Sequence, residues 1–147
     1  MKKILVTGGE GRFALELKKT IYKNKFIFLN KKEFNILKFD SIFKILKKYK
    51  PKTVLHLAAL SRPMKIHEKN LSKSISLNII GTCNLVIACE KLNIKIVYLS
   101  TSYVYPGIKG NYKETSSVLP WNNYGWSKLG GECAVQMYKN SLILRAC

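Results

Sequence analysis

The feature that most constrains the fold is a glycine-rich turn close to the start of the chain. A short apolar run at residues 4–6 leads into Thr7-Gly8-Gly9-Glu10-Gly11. The run is partly β-branched and too brief for a helix, which predicts a strand. The glycines supply the backbone freedom of a tight turn, and the apolar residues after them predict a helix that begins near Gly11.

The start of such a helix is a place where phosphate can bind. Its first backbone N–H groups lack partners within the helix and point, with the positive end of the helix dipole, toward the turn. The spacing Gly8-x-x-Gly11-x-x-Ala14 matches the dinucleotide fingerprint, which tolerates alanine at its last position. A turn of this kind can also simply cap a helix, so the elements that follow must support the prediction.

The rest of the chain alternates predicted strands and helices. Short apolar runs predict strands at residues 25–29, 53–57, 94–99 and 142–145. Helical spacing of apolar residues predicts helices at residues 41–49 and 71–92, the first with Asp40 as its N-cap. Residues 1–147 are therefore predicted to form one α/β domain, a Rossmann-type parallel sheet in the order 3-2-1-4-5 with helices on both faces. Its ligand cleft is expected at the carboxyl ends of the strands.

Length and composition narrow the class of protein. A chain of 147 residues with 47% hydrophobic residues suits one globular domain. We find no apolar run long enough to cross a bilayer and no signal-peptide core, so we expect a cytoplasmic protein without a membrane partner. The four cysteines lack metal-ligand spacing, which predicts free thiols and no metal site. Neither histidine is assigned a catalytic role: His56 is predicted to pack in the core and His67 to lie in a polar loop.

The formal net charge of +18 raises the question of nucleic-acid binding. Only three of the 26 basic residues are arginine, and the lysines are spread along the chain without interleaved aromatic residues. We therefore expect no specific nucleic-acid partner, and only nonspecific, salt-sensitive binding to polyanions.

The end of the second predicted strand bears on the choice of dinucleotide. About twenty residues after the glycine turn, this fold often places an acid that binds the adenosine ribose. The chain has Asn30 there, followed by Lys31 and Lys32. Because no carboxylate would repel a 2′-phosphate and two cations are near, the sequence leans toward NADP over NAD. The same lysines are also compatible with a solvated surface.

Candidate catalytic groups follow the fourth predicted strand. That strand delivers Ser100, Thr101 and Ser102 to the edge where ligands bind in open α/β sheets. On the last helix, Tyr124 and Lys128 are four residues apart and share a face. An ammonium near a phenol favours the phenolate and lowers the tyrosine pKa from about 10, which predicts an acid or base usable near neutral pH.

These stretches together resemble the extended short-chain dehydrogenase/reductase family, most closely its dTDP-4-dehydrorhamnose reductase group. The matching segments are VTGGEGRFALELK, NIIGTCNL, YLSTSYVYPGIKGNY, and YGWSKLGGE followed by LILR. They span nearly the whole chain. The resemblance implies NAD(P)H-dependent reduction of a nucleotide-linked 4-keto-deoxysugar, and it suggests a place in polysaccharide biosynthesis.

The resemblance also implies roles for particular residues. Thr101 corresponds to the residue that hydrogen-bonds the substrate oxygen, Tyr124 to the general acid/base, and Lys128 to the lysine that binds the nicotinamide ribose. Positions implied in cofactor binding, besides Tyr124 and Lys128, are Gly8, Gly11, Arg12, Phe13, Asn30, Asn35, Ile36, Ala58, Ala59 and Asn78.

Two departures from the family pattern leave alternatives open. Ser102 stands where the reductase group more often has aspartate, which leaves the substrate's identity in doubt, and the acid pair of the 4,6-dehydratases is absent. A sugar-nucleotide epimerase using the same three residues remains an alternative. The resemblance implies roughly as much chain again, with a substrate-binding lobe, so we expect either a fragment or a short cofactor-binding module without turnover. A homodimer is compatible with either reading.

Overall fold

The structure, a computed structural model, describes residues 3–147 as one sheet with flanking helices. Its strands are β1 (Ile4–Thr7), β2 (Phe26–Phe28), β3 (Thr53–His56), β4 (Lys95–Thr101) and β5 (Ser141–Ala146). Its helices are α1 (Arg12–Lys19), α2 (Phe39–Tyr49), α3 (Ile66–Lys69), α4 (Leu71–Lys91) and α5 (Asn123–Gln136). Short 3₁₀ turns span Lys23–Lys25 and Ser102–Val104.

All five strands are parallel, which confirms the predicted Rossmann-type α/β fold. The predicted order 3-2-1-4-5 is wrong, because the strands lie in the order β2-β1-β3-β4-β5. Val54 and His56 of β3 are inaccessible to solvent, whereas each residue of β2 is only partly buried. An apolar strand needs a neighbour on each side, and a short half-exposed strand suits the edge.

This strand order moves the expected ligand crevice. The chain leaves β1 in one lateral direction to reach β2 and returns in the other direction to reach β3. The order therefore reverses between β1 and β3, and ligands of open α/β sheets bind outside the carboxyl ends of the strands at that point. In the predicted order the reversal would have fallen between β1 and β4.

Helices cover both faces of the sheet, as predicted. The connection from β1 to β2 crosses the sheet toward one edge, and the connections to β3, β4 and β5 cross it toward the other edge. Because such crossovers are right-handed, α1 lies on one face of the sheet, opposite the helices of the other connections. On the other face α2, α4 and α5 pack side by side. The core between these helices and the sheet contains Leu46, Leu85, Ile96, Tyr98 and Val135.

The start of α2 differs from the prediction by two residues. The helix begins at Phe39 with Lys38 at the N-cap position, so Asp40 lies in the first turn and is not the cap. A carboxylate is favourable there because it faces the positive end of the helix dipole. The helix ends at Tyr49, where Lys50 adopts left-handed backbone angles and Pro51 follows.

Helix α4 has the length and apolar content of a membrane-spanning helix, contrary to the prediction that no apolar run is long enough to cross a bilayer. Its inward face packs in the core through Leu85, Ala88 and Cys89. A core helix of a globular domain passes the same test, so length and composition do not identify a membrane span here.

Close packing between α4, α5 and β4 depends on Gly131. A Cβ at this position would lie 2.5 Å from Tyr98 Oη and 2.8 Å from the backbone oxygen of Asn78. We expect Gly131→Ala to lower the free energy of unfolding by about 1–3 kcal/mol, even though alanine favours a helix by ~1 kcal/mol. Urea unfolding measures this.

The matched control is Gly110→Ala, where an added Cβ meets no atom within 4 Å. We expect its free energy of unfolding to stay within about 0.5 kcal/mol of the parent protein. A Gly131→Ala protein as stable as this control would contradict the packing assigned to Gly131.

Candidate functional site

The glycine turn fits between the ends of β2 and β3 with no room for side chains. Gly8 has a φ of +67°, and a Cβ there would lie 2.8 Å from Ala58 Cα. A Cβ on Gly9 would lie 2.9 Å from the backbone nitrogen of Leu29. The Gly9 N–H donates a hydrogen bond to the backbone oxygen of Leu29 at 2.8 Å. The turn closes where Gly11 N–H donates to Gly8 O at 2.9 Å, directly before α1.

A cavity of about 220 Å³ lies over this turn, at the reversal point between β1 and β3. Its wall includes six of the predicted cofactor residues, namely Gly8, Gly11, Asn35, Ile36, Ala58 and Ala59. Lys31, Phe34 and Leu77 also line it. Of the other predicted residues, Arg12 and Phe13 are exposed on the first turn of α1. We call this cavity the turn cleft.

Asn30 supports a local turn instead of lining the turn cleft. Its Oδ1 accepts hydrogen bonds from Lys32 N at 2.9 Å and Glu33 N at 3.0 Å. Its own backbone N–H donates to Glu33 Oε2 at 2.9 Å. The side-chain oxygen predicted to contact a ribose is therefore committed to the backbone, and the residue of this segment that reaches the cleft is Lys31.

A buried chain of hydrogen bonds fixes Ala58 beside the glycine turn. Ala58 N–H donates to Thr7 Oγ1 at 3.1 Å, and Thr7 Oγ1 lies 2.8 Å from His56 Nδ1. On the other side of the ring, His56 Nε2 lies 3.1 Å from Thr82 Oγ1, which donates to Asn78 O at 2.8 Å. Because that hydroxyl donates to Asn78, Nε2 must carry the imidazole proton and Nδ1 must accept from Thr7.

Burial lowers the pKa of His56 to about 3, so the ring is neutral. The prediction that His56 packs in the core is confirmed. The partners of its ring could not be read from the sequence, since Thr7 and Thr82 lie 49 and 26 residues away.

Asn78 joins the loop after β3 to α5. Its Oδ1 accepts from Leu60 N at 2.7 Å, and its Nδ2 donates to Leu60 O at 2.9 Å and to Ser127 Oγ at 2.8 Å. It lies in a π-helical segment of α4, Ile75–Ile80, and such segments often occur at functional sites. Asn78 is thus a fully bonded residue beneath the site, separate from the wall of the turn cleft.

The structure brings Thr101 and Tyr124 together at the carboxyl end of β4. Burial raises the pKa of Tyr124, and hydrogen bonding from the Thr101 side chain opposes this rise. The Tyr124 ring packs against His67, with centroids 5.1 Å apart, and against Tyr103, with centroids 5.6 Å apart. The phenol is therefore protonated at neutral pH and is suited to donate a proton.

Lys128 is buried, about one turn after Tyr124 on α5. Its Nζ donates to Leu99 O at 2.8 Å and lies 4.0 Å from the centroid of the Tyr98 ring. Burial lowers its pKa to about 7, while Glu132 acts in the opposite direction. The predicted lowering of the Tyr124 pKa by Lys128 is not found in the described structure, because desolvation outweighs the charges near the phenol.

His67 contradicts its predicted place in a polar loop. It lies in α3, is inaccessible to solvent, and its Nδ1 is 2.7 Å from Ser74 Oγ. Its ring forms one side of the packing around Tyr124. Sequence reasoning missed this because α3 is only four residues long and its burial depends on α5, which lies far along the chain.

The depressed pKa of Lys128 predicts a pH dependence of stability. Between about pH 7 and pH 10.5 the unfolded chain holds more protons at this side chain than the folded protein does. Stability contributed by this group is therefore lowest below pH 7 and rises through that window, by at most about 1.4 kcal/mol per pH unit.

Urea unfolding of the parent protein and of Lys128→Met at several pH values from 7 to 10 tests this prediction. The free energy of unfolding of the parent should rise relative to Lys128→Met as the pH increases. Lys91→Met, at an exposed position at the end of α4, should show no such relative change. A parent-to-Lys128→Met difference that is constant with pH would contradict the assignment.

Known proteins resemble this chain in both sequence and fold. A family model described as RmlD substrate binding domain matches residues 1–147. The chain is 33% identical over 150 residues to dTDP-4-dehydrorhamnose reductase of Aggregatibacter actinomycetemcomitans, covering 99% of this chain and 51% of that protein. It is also 33% identical over 150 residues to the spore coat polysaccharide biosynthesis protein SpsK of Bacillus subtilis (strain 168). That match covers 99% of this chain and 52% of SpsK.

The crystal structure of dTDP-4-dehydrorhamnose reductase from Bacillus anthracis str. Ames in complex with NADP has the same fold. The two chains superpose with a TM-score of 0.89 and are 26% identical in sequence. The match covers 98% of this chain and 52% of the B. anthracis chain. The chain thus spans about half the length of these relatives. These matches confirm the resemblance drawn from the motifs, and the chain belongs to the family defined by the RmlD substrate binding domain.

Proposed function

We propose that this chain is the cofactor-binding part of an enzyme that uses NAD(P)H to reduce a nucleotide-linked 4-keto-deoxysugar. The observation that carries the proposal is the pairing of Thr101 with a half-buried, protonated Tyr124 at the same sheet edge as the turn cleft. The reductase names of the relatives support the same activity.

The residues around the turn cleft fit a dinucleotide. Gly8 and Gly9 hold the backbone where any Cβ would collide, which leaves the N-terminus of α1 open to a pyrophosphate. Asn35 and Ile36 would hold the adenine side, and Ala58 and Ala59 would allow close approach of the cofactor. When bound, NAD(P)H supplies the hydride for the reduction.

The protein side of the reaction would be proton donation and oxyanion stabilisation. Tyr124 would donate its phenolic proton to the carbonyl oxygen as that oxygen becomes an alkoxide. Thr101 would hydrogen-bond the same oxygen and stabilise its developing charge. The family resemblance implies that Lys128, on the Tyr124 face of α5, would bind the nicotinamide ribose.

Tyr124→Phe tests the role of the phenol. We expect turnover of dTDP-4-dehydrorhamnose, followed by NADPH absorbance, to fall about 10²- to 10⁴-fold because the proton donor is lost. Binding of NADPH, measured by nicotinamide fluorescence, should remain unchanged. The matched control is Tyr22→Phe, since Tyr22 is exposed and precedes β2, whereas the site lies at the carboxyl ends of the strands.

The same assay separates the alternatives. Full turnover by Tyr124→Phe would refute the proposed acid. NADPH binding by the parent protein without reduction of the keto sugar would favour a cofactor-binding module. Retention of tightly held NAD through each cycle would favour an epimerase, whereas release of oxidised cofactor on every turnover favours a reductase.

We also propose that Lys31 selects NADP. It lines the turn cleft, where its positive charge would attract a 2′-phosphate. The acidic residues near it are Glu10, which also lines the cleft, and Glu33, which accepts from Asn30 N–H. We expect Lys31→Glu to weaken NADPH binding about tenfold, roughly 1.4 kcal/mol, while NADH binding changes little. Lys91→Glu makes the same charge change at an exposed site on α4 and should alter neither affinity. Equal losses for NADPH and NADH would contradict selection at Lys31.

The biological setting proposed here is a cytoplasmic step of polysaccharide biosynthesis. The name of the SpsK relative supports the pathway class. A nucleotide-sugar substrate follows from the proposed chemistry, and a homodimer stays a prediction that sedimentation velocity can test.

A further inference from the structure

Three ionisable side chains lie at intervals of four residues along α5. They are Tyr124, Lys128 and Glu132, and residues four apart share one face of a helix. Lys128 and Glu132 are each only 3% exposed, so this face carries two ionisable groups into the core. Buried groups of this kind need partners, and the partners decide where each side chain is held.

The partner of Glu132 is Arg145 on β5. Arg145 Nε donates to Glu132 Oε1 at 3.1 Å and to Oε2 at 3.2 Å, and Arg145 Nη2 donates to Oε2 at 2.8 Å. The guanidinium is itself held by Tyr105, whose Oη accepts from Nη1 at 2.9 Å and whose ring centroid lies 5.0 Å from Cζ. One planar fork therefore engages both carboxylate oxygens of Glu132, which is the strong geometry of an arginine–carboxylate pair.

Lys128 does not join this pair. Its Nζ donates to Leu99 O at 2.8 Å and lies 4.0 Å from the centroid of the Tyr98 ring, so these partners are both on β4. Among the ion pairs of residues 3–147, Glu132 is joined to Arg145 and not to Lys128, although residues four apart on a helix are neighbours. The lysine is thus bound to the strand that carries Thr101 to the proposed site.

This division of partners indicates what Arg145 does. A Glu132 carboxylate without its fork would attract a neighbouring ammonium, and an ion pair between the two would take Lys128 Nζ away from Leu99 O. The guanidinium occupies the carboxylate oxygens and offsets their charge, so Lys128 keeps its bond to β4. The β5 strand, which contributes no residue to the proposed site, thereby acts on that site through α5.

We propose that Arg145 is a positioning residue, which holds the Glu132 carboxylate and so keeps Lys128 bound to Leu99 on β4. The inference rests on the proposed function for the use made of Lys128, which is contact with the nicotinamide ribose. The arrangement of the three side chains does not depend on that use, and it can be tested without substrate.

The charge state of Lys128 reports on this arrangement. Burial lowers its pKa to about 7, and the nearby Glu132 charge opposes the lowering. The ionisable groups around Lys128 are Tyr124 and Glu132 on α5, Tyr98 on β4, His56 on β3 and, beyond Glu132, Arg145 on β5. Burial raises the pKa of both tyrosines and lowers that of His56 to about 3, so these three stay neutral while Lys128 titrates. The charges that the variants below change are those of Glu132 and Arg145.

NMR titration of the Lys128 side chain tests the proposal. Its ¹³Cε signal is the one that Lys128→Met lacks, and a midpoint near pH 7 separates it from exposed lysines, which titrate near about 10.4. We expect Arg145→Met to raise the midpoint by about 1–3 pH units, because the freed carboxylate pairs with Lys128. We expect Glu132→Gln to lower the midpoint, because it removes the charge that favours the ammonium. A purely structural role would not move the two midpoints in opposite directions.

The matched control is Glu16→Gln on α1. It makes the same change in the exposed ion pair of Glu16 with Lys19 and should leave the Lys128 midpoint where it is in the parent protein. A midpoint in Arg145→Met at or below that of the parent would overturn the proposal.

The double variant of Arg145→Met with Glu132→Gln separates two causes of a rise. If Arg145 acts by holding Glu132, its removal changes nothing further once residue 132 is glutamine, and the midpoint should stay within about 0.3 pH unit of Glu132→Gln. An equal rise after Arg145→Met in both backgrounds would show direct repulsion between Arg145 and Lys128, which would overturn the proposal.

Arg145→Lys keeps the test decisive if Arg145→Met fails to fold with an unpaired buried carboxylate. Lysine retains the positive charge but cannot form the planar fork, so it should raise the Lys128 midpoint by less than Arg145→Met does. Direct repulsion between positive charges predicts no rise in this variant. An unchanged midpoint in a folded Arg145→Lys protein would therefore refute the role of the fork.

Turnover separates this inference from the proposed function. The pH profile of kcat for keto-sugar reduction should shift in the same direction as the Lys128 midpoint in each variant, and a fixed profile would overturn a role of Arg145 in the reaction. If Tyr124→Phe abolishes turnover while the Lys128 midpoints do not differ among the variants, the reductase proposal stands and the positioning proposal fails. Midpoints that move as expected in a protein without turnover would support the positioning and refute the reductase.

Discussion

The arrangement of this protein depends on the close approach of two backbones, at Gly8 after β1 and Ala58 after β3. A methyl group on Gly8 would lie within 2.8 Å of Ala58, so the turn exists only because glycine is there. The approach is secured from below by Thr7, which accepts from Ala58 N–H and hydrogen-bonds the buried His56. A dinucleotide site needs backbone N–H groups at a helix start without side chains in the way. The same contact that aligns β1 with the central strand β3 creates that opening.

Burial decides the charge state of the groups around the proposed reaction centre. Lys128 and His56 both lie in the core and both lose basicity, and the Tyr124 phenol keeps its proton. The spacing of Tyr124 and Lys128 suggested that attraction between an ammonium and a phenolate sets the Tyr124 pKa. Burial of the phenol has the larger effect on that pKa. A phenol that is protonated at neutral pH suits a reduction, in which the enzyme must give a proton to the product oxygen. The rings of His67 and Tyr103 pack against this half-buried phenol.

The loop between β4 and α5 builds a different surface from the glycine turn. It brings no group to the turn cleft, yet it stacks an exposed tryptophan, Trp121, on Tyr103, which in turn packs against the proposed acid. Backbone geometry near Gly8 shapes the turn cleft, whereas the loop after β4 forms a separate, exposed aromatic surface.

Local sequence determined the elements and the candidate chemistry of this protein. The glycine spacing, the short apolar runs and the Tyr124–Lys128 interval are all readable within a few residues, and five parallel strands with helices on both faces were predicted from them. Tertiary structure decided what depends on contacts between distant segments. The position of β3 beside β1, the burial of His67 and the bonding of His56 and Asn78 each involve partners elsewhere in the chain. The place of each strand in the sheet and the pKa values of His56, Tyr124 and Lys128 all depend on which residues are buried. Burial is a property of the whole folded chain and not of any single stretch.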